Sequence, residues 1–433
     1  MAAKRNAFVQ RAPRARAGRA RGARYNPPML QQYQPHLDWI RAQVPAMRDE
    51  LLRLSAINSG SYNAAGVNAV SERMEALFAP LGGKAERIDM PKHRTTDDAG
   101  RAFERPIGRA LRMRQRPDAA LRVVLVGHMD TVFGTEHAFQ QARPVDDDTL
   151  NGPGVADLKG GLLVMLLALS ALERSPWKER IGWEVVLNPD EEIGSEGSAP
   201  LLREAAGRGQ VGLVYEPSFP DGNLAGARKG SGNFDVVVHG RAAHAGRDHH
   251  LGRNAIRAAA DAALALDLLN GQREGVTVNV GYVHGGGPTN IVPDLCVLKF
   301  NVRTSKPGDE AWLQTRLAGV LKNLNARDGI RVEAPGHFTR PPKVVTPGFQ
   351  RLSGMIADCG KSLGVSLEFK PTGGACDGNN LAAAGLANVD NLGVVGGEIH
   401  SDREYMKVSS IGQRAQLSAL LLMRLASGEL SWS

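Results

Sequence analysis

The chain has 433 residues, room for one large or two moderate domains, and its 42% apolar and 23% charged content is that of an ordinary globular protein. This excludes a fibre and a repeat array. The net charge of +8 is concentrated at the start: residues 1–25 hold Lys4, Arg5, Arg11, Arg14, Arg16, Arg19, Arg21 and Arg24 and no acid, and removing these eight from 53 basic residues leaves 45 against 45 acidic ones. A neutral body argues against nucleic acid as a partner of the folded part.

The tail, residues 1–30, is rich in Ala, Arg and Gly and has few large apolar groups to offset the entropy of ordering, which predicts disorder up to about Pro27. Its arginines are hardly interleaved with aromatic residues of the kind that stack on bases. No 7–15-residue apolar core of a signal peptide follows it, and no run reaches membrane-spanning length. The three cysteines, Cys296, Cys359 and Cys376, are odd in number and lack a CxxC pair, which argues against a disulfide framework and a thiolate zinc site. The expected location is the cytoplasm, with no membrane partner.

Apolar residues at three- and four-residue steps predict helices over 36–56 and 62–80. The run Arg122-Val-Val-Leu-Val-Gly127 predicts a strand covered on both faces and ending at His128. A turn at Asn151–Gly154 leads into a helix from about Leu158 to Glu173, and strands are expected at 183–187 and 211–215. From about Arg228 to Arg340 the order is a strand at 234–238, a helix near 253–269, strands at 276–283 and 295–303, a helix near 309–325 and a short strand near 330–333. That β-α-β-β-α order predicts a small α+β layer inserted into the first domain. The α/β pattern resumes with a helix at 348–363, a Gly-rich loop at 373–378, a strand at 392–395 and a helix at 409–426. The expected organisation is a split catalytic domain, residues 31–227 with 342–433, and an inserted domain, 228–341.

His128, Asp130, Asp157, Glu191, Glu192, Glu216 and His400 fall at or near predicted strand ends, where open α/β sheets place reactive groups. Carboxylates mixed with imidazoles suit a pair of zinc-like ions bridged by one carboxylate, and such a pair activates water at neutral pH. Glu398 and Asp402 are local competitors of His400, while His249, His250 and His284 have no supporting context and read as surface residues.

Gly127-His-Met-Asp-Thr-Val132, Gly152-Pro-Gly-Val-Ala-Asp-Leu-Lys-Gly-Gly161, Asp190-Glu-Glu-Ile-Gly-Ser195 and Tyr215-Glu-Pro-Ser218 resemble, in order, the motifs of the co-catalytic zinc peptidases. That family includes glutamate carboxypeptidase, acetylornithine and succinyl-diaminopimelate deacylases, aminoacylase and related dipeptidases. The likeness runs from about residue 40 to the C-terminus and is nearest to the glutamate carboxypeptidase branch. It implies an α/β, mixed-sheet dizinc exopeptidase domain with an inserted α+β lid and dimerisation domain.

The resemblance further implies that Asp157 bridges two divalent ions, zinc before cobalt or manganese, with His128 and Glu216 completing one site and Glu192 and His400 the other. Asp130 would orient His128 through the ring's other N–H, and Glu191 would be the general base and then the acid. In the inserted domain, His244 of Val238-His-Gly-Arg-Ala-Ala-His-Ala-Gly246 matches a histidine that reaches across a homodimer to the partner's oxyanion, whereas His239 reads as structural. Asn290, Arg303 and Arg340 match substrate-holding positions, with Arg340 preferred to Arg303 for a free carboxylate. Gly374 belongs to a loop lining the substrate pocket, in which Cys376 stands where Ser or Thr is usual and reads as a small substitute, not a nucleophile. The function implied is hydrolysis of an amide to release an amino acid with a free carboxylate. The alternatives are an N-acyl-amino-acid deacylase and, in another class, a non-catalytic metal-dependent binding protein.

Overall fold

The computed structural model describes residues 30–432; the basic tail, with the disorder expected of it, lies outside the described residues. A six-stranded sheet runs in the order Lys84–Ile88, Ala110–Gln115, Ile181–Asn188, Leu121–His128, Val211–Val214 and Asn388–Val389. The first two junctions are antiparallel and the last three parallel, so Ile181–Asn188, Leu121–His128 and Val211–Val214 all point their C-terminal ends to one edge.

Strand Leu121–His128 shows why an uninterrupted apolar run is needed. Val123 and Leu125 join the core under helices Gln34–Ser55, Lys159–Glu173 and Val408–Ser427, while Val124 and Val126 face Leu201, Leu202 and Ala205 of helix Ala199–Arg208. Successive side chains alternate between two buried faces. Leu125→Ala would leave a cavity at the sheet centre and cost about 2–5 kcal/mol. Helix Lys159–Glu173 is apolar on every side because it is buried between sheet and helices, with only Ser170 and Glu173 not fully buried.

A second sheet is antiparallel and built from Gly230–His239, Thr277–Gly285, Leu295–Thr304, Arg331–Glu333 and Gly336–Arg340. Phe234, Val236 and Val238 with Leu298, Phe300 and Val302 pack beneath helices Ala255–Asp267 and Asp309–Asn325 as a separate core. The opposite face is largely polar: Ser231, Asn233 and Asp235 pair in register with Arg303, Asn301 and Lys299. Paired residues across an antiparallel ladder project to the same side. The chain passes between the two sheets at Arg228 and Lys343, whose backbones exchange hydrogen bonds of 2.9 and 3.0 Å.

Two features differ from the sequence reading. Leu392–Val395 is not a regular strand: Asn391 adopts a left-handed φ of 64°, and the segment runs beside 214–218 through irregular bonds such as Gly393 N–H to the Glu216 carbonyl at 2.9 Å. Leu392 and Val394 are buried, so apolarity signalled burial and not a ladder. The reading also passed over the edge strand Lys84–Ile88 and its neighbour Ala110–Gln115, where charged residues interrupt the apolar pattern, and a hairpin of His93–Thr96 with Ala102–Arg105.

Candidate metal centre

Three parallel strand ends converge with two loops. Leu121–His128 delivers His128, the segment after Ile181–Asn188 delivers Glu191 and Glu192, and the segment after Val211–Val214 delivers Glu216. Asp157 lies in the turn before helix Lys159–Glu173, and His400 sits in a loop at a left-handed φ of 62°.

Asp157 faces both imidazoles with different oxygens. His128 Nε2 is 3.0 Å from Oδ1, and His400 Nε2 is 3.3 Å from Oδ2. Glu216 approaches His128 Nε2 at 3.9 Å, and Glu192 approaches His400 Nε2 at 3.1 Å. Ligand-type atoms of His128, Asp157 and Glu192 all lie within 4.8 Å of one another. The pattern is two half-sites sharing Asp157.

The electrostatics suit a cation. Burial pushes Glu192 up to about 8, with Asp157 adding to it, and burial likewise drives Glu216 well above the usual carboxylate range. Burial also works against ionised Asp157, but His128 and His400 outweigh it and hold that carboxyl well below its ordinary value. Hydrogen bonds to Asp157 and Glu192 raise His400 to about 11. Carboxylates that hold protons this tightly face a concentration of negative charge, and a divalent cation relieves it in their place. The donor set, carboxylate oxygens with imidazole nitrogens and no thiolate, fits zinc, cobalt or manganese.

Asp130 does more than the orienting role expected of it. His128 Nδ1 meets its backbone carbonyl at 3.0 Å and its carboxylate at 3.4 Å, while the two carboxylate oxygens each accept a backbone N–H at 3.1 Å, one from Glu191 and one from Glu192. Ser61 donates to it as well, at 2.7 Å. One buried carboxylate thus fixes the ring and the short helical turn that carries Glu191 and Glu192. Glu191 is buried and raised to about 7, burial dominating over the opposing Arg340. That places its proton affinity where a general base works at neutral pH.

Arg340 departs from expectation. Its Nη2 donates to the Glu191 carboxylate at 2.8 Å, to the Glu191 carbonyl at 2.7 Å and to Ser195 Oγ at 2.7 Å, and the residue is buried. Its Nη2 is committed to Glu191 and Ser195, while its buried Nε has no hydrogen-bond partner among the described residues. Arg303, the second choice, is half-buried on the polar sheet face and makes no side-chain hydrogen bond or ion pair among the described residues; burial first, then Arg340, lowers its proton affinity, and Glu191 opposes this. We therefore prefer Arg303 to Arg340 for a substrate carboxylate, the reverse of the order taken from the sequence.

His244 and Asn290 lie on facing loops joined by the Ala245 N–H to the Asn290 carbonyl at 2.9 Å. The exposed His244 accepts at Nδ1 from the backbone N–H groups of Gly246 and Arg247, both at 3.1 Å, which leaves its proton on Nε2 as an outward donor. Neither residue contacts the carboxylate cluster of its own chain among the described contacts. Gly374 is exposed, and its carbonyl accepts from Arg228 at 3.0 Å. Cys376 is buried, caps helix Asp377–Ala383 and donates to Asp390 at 3.3 Å, and burial drives its thiol well up, which removes it as a nucleophile. His249, His250 and His284 are exposed.

Glu404 was missed as a functional residue. Its carboxylate accepts from the backbone N–H groups of Gly154, Ala156 and Asp157 at 3.2, 2.9 and 3.1 Å, clamping the loop that presents Asp157. Its partners stand 247–250 residues away, so no local pattern pointed to it.

A strand-end cluster of this kind in an α/β sheet carrying an inserted α+β layer defines a metal-dependent hydrolase of the exopeptidase type. The chain belongs to peptidase family M20/M25/M40, whose model matches residues 124–424. It is 29% identical to carboxypeptidase G2 of Pseudomonas sp. strain RS-16, over 89% of this chain and 90% of that one. It is 26% identical to succinyl-diaminopimelate desuccinylase of Azoarcus sp. strain BH72, over 84% and 93%. Human carnosine dipeptidase 1 shares the fold with a TM-score of 0.72 at 14% identity, covering 91% of this chain and all of the other. A metallo-carboxypeptidase of Sulfolobus solfataricus does so at 0.69 and 17%, covering 87% and 98%. The family is one of metal-dependent hydrolytic enzymes.

Proposed function

We propose that this chain hydrolyses an amide to release an amino acid with a free carboxylate, in the manner of a glutamate carboxypeptidase, with two divalent ions, preferably zinc. The observation that carries the reading is Asp157, whose two oxygens face His128 with Glu216 on one side and His400 with Glu192 on the other. These five residues would hold the ions, which when bound supply Lewis acidity and lower the pKa of water.

Glu191 takes up a proton from water and hands it to the leaving nitrogen. Arg340 fixes its carboxylate, and Asp130 fixes its backbone. Arg303 offers a guanidinium to the free carboxylate, and Asn290 and Gly374 border the substrate. His244 presents Nε2–H to the oxyanion of a second copy. Exposed Ile256 and Leu264 of helix Ala255–Asp267, with Leu268 just beyond its end, beside the edge strand Thr277–Gly285, support a homodimer formed through the inserted domain, residues 228–341.

No helix among the described residues is long and apolar enough to cross a membrane, and the three cysteines are free and buried; we read the compartment as the cytoplasm. The desuccinylase relatives favour a second reading, an N-acyl-amino-acid deacylase, since pocket shape and not the ligand set separates the two. The test is hydrolysis of folyl-, peptidyl- and N-acyl-amino acids by metal-free protein with zinc restored, beside Glu191→Gln. Zinc-dependent release of a carboxylate-bearing amino acid that vanishes in the variant is expected. Two bound ions with no cleavage of any of the three classes would defeat the reading in favour of a binding protein.

A further inference from the structure

A cleft of about 250 Å³ lies at the other end of the main sheet, where strands Leu121–His128 and Ile181–Asn188 begin and helix Ala199–Arg208 ends. Arg122 on its wall stands six residues before His128 on one strand, about 20 Å along it, so the cleft is no part of the carboxylate cluster.

The cleft is rich in arginine. Ala110, Val124, Val126 and Val186 pack against helix Ala199–Arg208. Side chains alternate along a strand, so Arg112, Arg114, Arg122 and Glu184 project to the same side as those four. Arg114 and Glu184 are register partners, and Glu184 in turn pairs with Val124, one rung from Arg122. Arg208 reaches in from the helix end, and Val123, Val124 and Pro117 add apolar surface.

The nearby carboxylates already have cations. Both oxygens of Glu184 accept from Arg208, one of them at 2.8 Å from Nε. Glu204 accepts from Arg208 and Arg112, and Glu86 accepts from Arg112 at 2.5 Å. Arg114 makes no side-chain hydrogen bond or ion pair among the described residues. Arg122 has neutral partners only: Nε donates to the Arg208 carbonyl at 2.6 Å and Nη1 to the Ala119 carbonyl at 2.8 Å, while Nη2 has no partner among the described residues. Arg114 and Arg122 are both half-buried. A half-buried guanidinium without a counter-charge gives up hydration and gains nothing for it, and an anion between two of them reverses that loss. A helix C-terminus ordinarily repels anions, but here Arg122 occupies the Arg208 carbonyl.

We propose that this cleft is a second binding site, for a small organic oxyanion: a carboxylate or phosphate monoester with a short apolar body. Arg114 and Arg122 Nη2 take its oxygens, and Val124 and Pro117 meet its carbon atoms. The volume is that of about eight water molecules, which holds the ligand to roughly that many non-hydrogen atoms.

The test titrates isobutyrate, isopropyl phosphate and neutral isobutyramide calorimetrically into the zinc-loaded wild type, Arg114→Met, Arg114→Lys and Arg122→Met, with zinc content and hydrolytic rate followed in each. Saturable binding of one or both anions but not of the amide is expected, and the stronger of the two identifies the headgroup. Arg114→Met should weaken that binding at least tenfold and Arg114→Lys less, with zinc content and hydrolysis in the absence of the anion unchanged. Since Arg114 holds no other group, its loss leaves the fold intact; Arg122→Met, which also loses a helix contact, should weaken binding to a similar degree with its circular dichroism preserved. Anion binding equal in the wild type and Arg114→Met would put the ligand at the metal centre and overturn the proposal. So would amide binding as tight as anion binding, or no binding of either anion at millimolar concentration.

Discussion

The carboxylate cluster at the strand ends and the polar face of the second sheet carry similar residue types but differ in how they are held. In the cluster nearly every group is buried and tied down: Asp130 takes four donors, Glu404 three, and Arg340 Nη2 is committed to Glu191. On the sheet face and its loops, the side chains of Arg303 and Asn290 and the outward nitrogen of His244 have no hydrogen-bond partner among the described residues. The contrast separates two tasks. Groups that hold ions and move protons need fixed geometry, whereas groups that meet a substrate must keep their hydrogen-bonding capacity free until it arrives.

The largest expected effect tests the cluster itself. His128→Ala should lose bound metal, measured by elemental analysis after dialysis, and activity should drop to background; full activity with one ion per chain would break the picture of two half-sites sharing Asp157. Glu191→Gln should keep its metal yet lose about 10²–10⁴ in kcat, because it removes the proton carrier alone. A matching loss of metal would show that Glu191 is a ligand.

On the other side of the comparison, His244→Ala should cost about 10²–10³ in kcat. Mixing it with Glu191→Gln should recover activity in heterodimers, one of whose two sites is then intact; no recovery under subunit exchange would place His244 at its own chain's site. Arg303→Met should raise KM about tenfold to a hundredfold with little change in kcat, as expected for loss of a charged hydrogen bond. If Arg340→Met instead showed that pattern and Arg303→Met did not, the reversal of the two arginines would be wrong.

The smallest effect lies away from both regions. Buried Glu50 is held below its usual range by Arg73, against the cost of burial, with Arg53 assisting. A depressed folded-state pKa contributes stability that is present above the unfolded value and is lost as pH falls through the folded one. Glu50→Gln should therefore lower stability by about 1 kcal/mol at pH 7, and the gap between the two urea midpoints should close as the pH is taken well below 4.5. A gap that widens in acid would reverse the sign of the argument.

Much of the candidate metal centre was legible because it is assembled from local signals. An apolar run ending at His128, another before Glu191–Glu192 and a third before Glu216 mark strand ends, and parallel strands bring such ends together. The longer helices were legible from their periodicity, whereas the shorter Ala199–Arg208 and Asp377–Ala383 were passed over. The strand expected at 392–395 failed because Leu392 and Val394 report burial, which a loop tucked against 214–218 shares with a strand. Glu404 and Ser61 were invisible as supports, since their partners stand 247 and 69 residues away.

The sequence by itself determined the order of the elements, the residue types at the strand ends and, through its motifs, the family. Tertiary structure alone decided what each arginine touches: the sequence favoured Arg340 over Arg303 for a substrate carboxylate, but the fold sets Arg340 Nη2 against Glu191 and leaves the Arg303 side chain without a partner among the described residues. The cleft beside Arg114 has the same origin, for it exists only where three strands meet the end of helix Ala199–Arg208. Contacts between distant segments carry no local periodicity, and so they become readable only once the chain has folded.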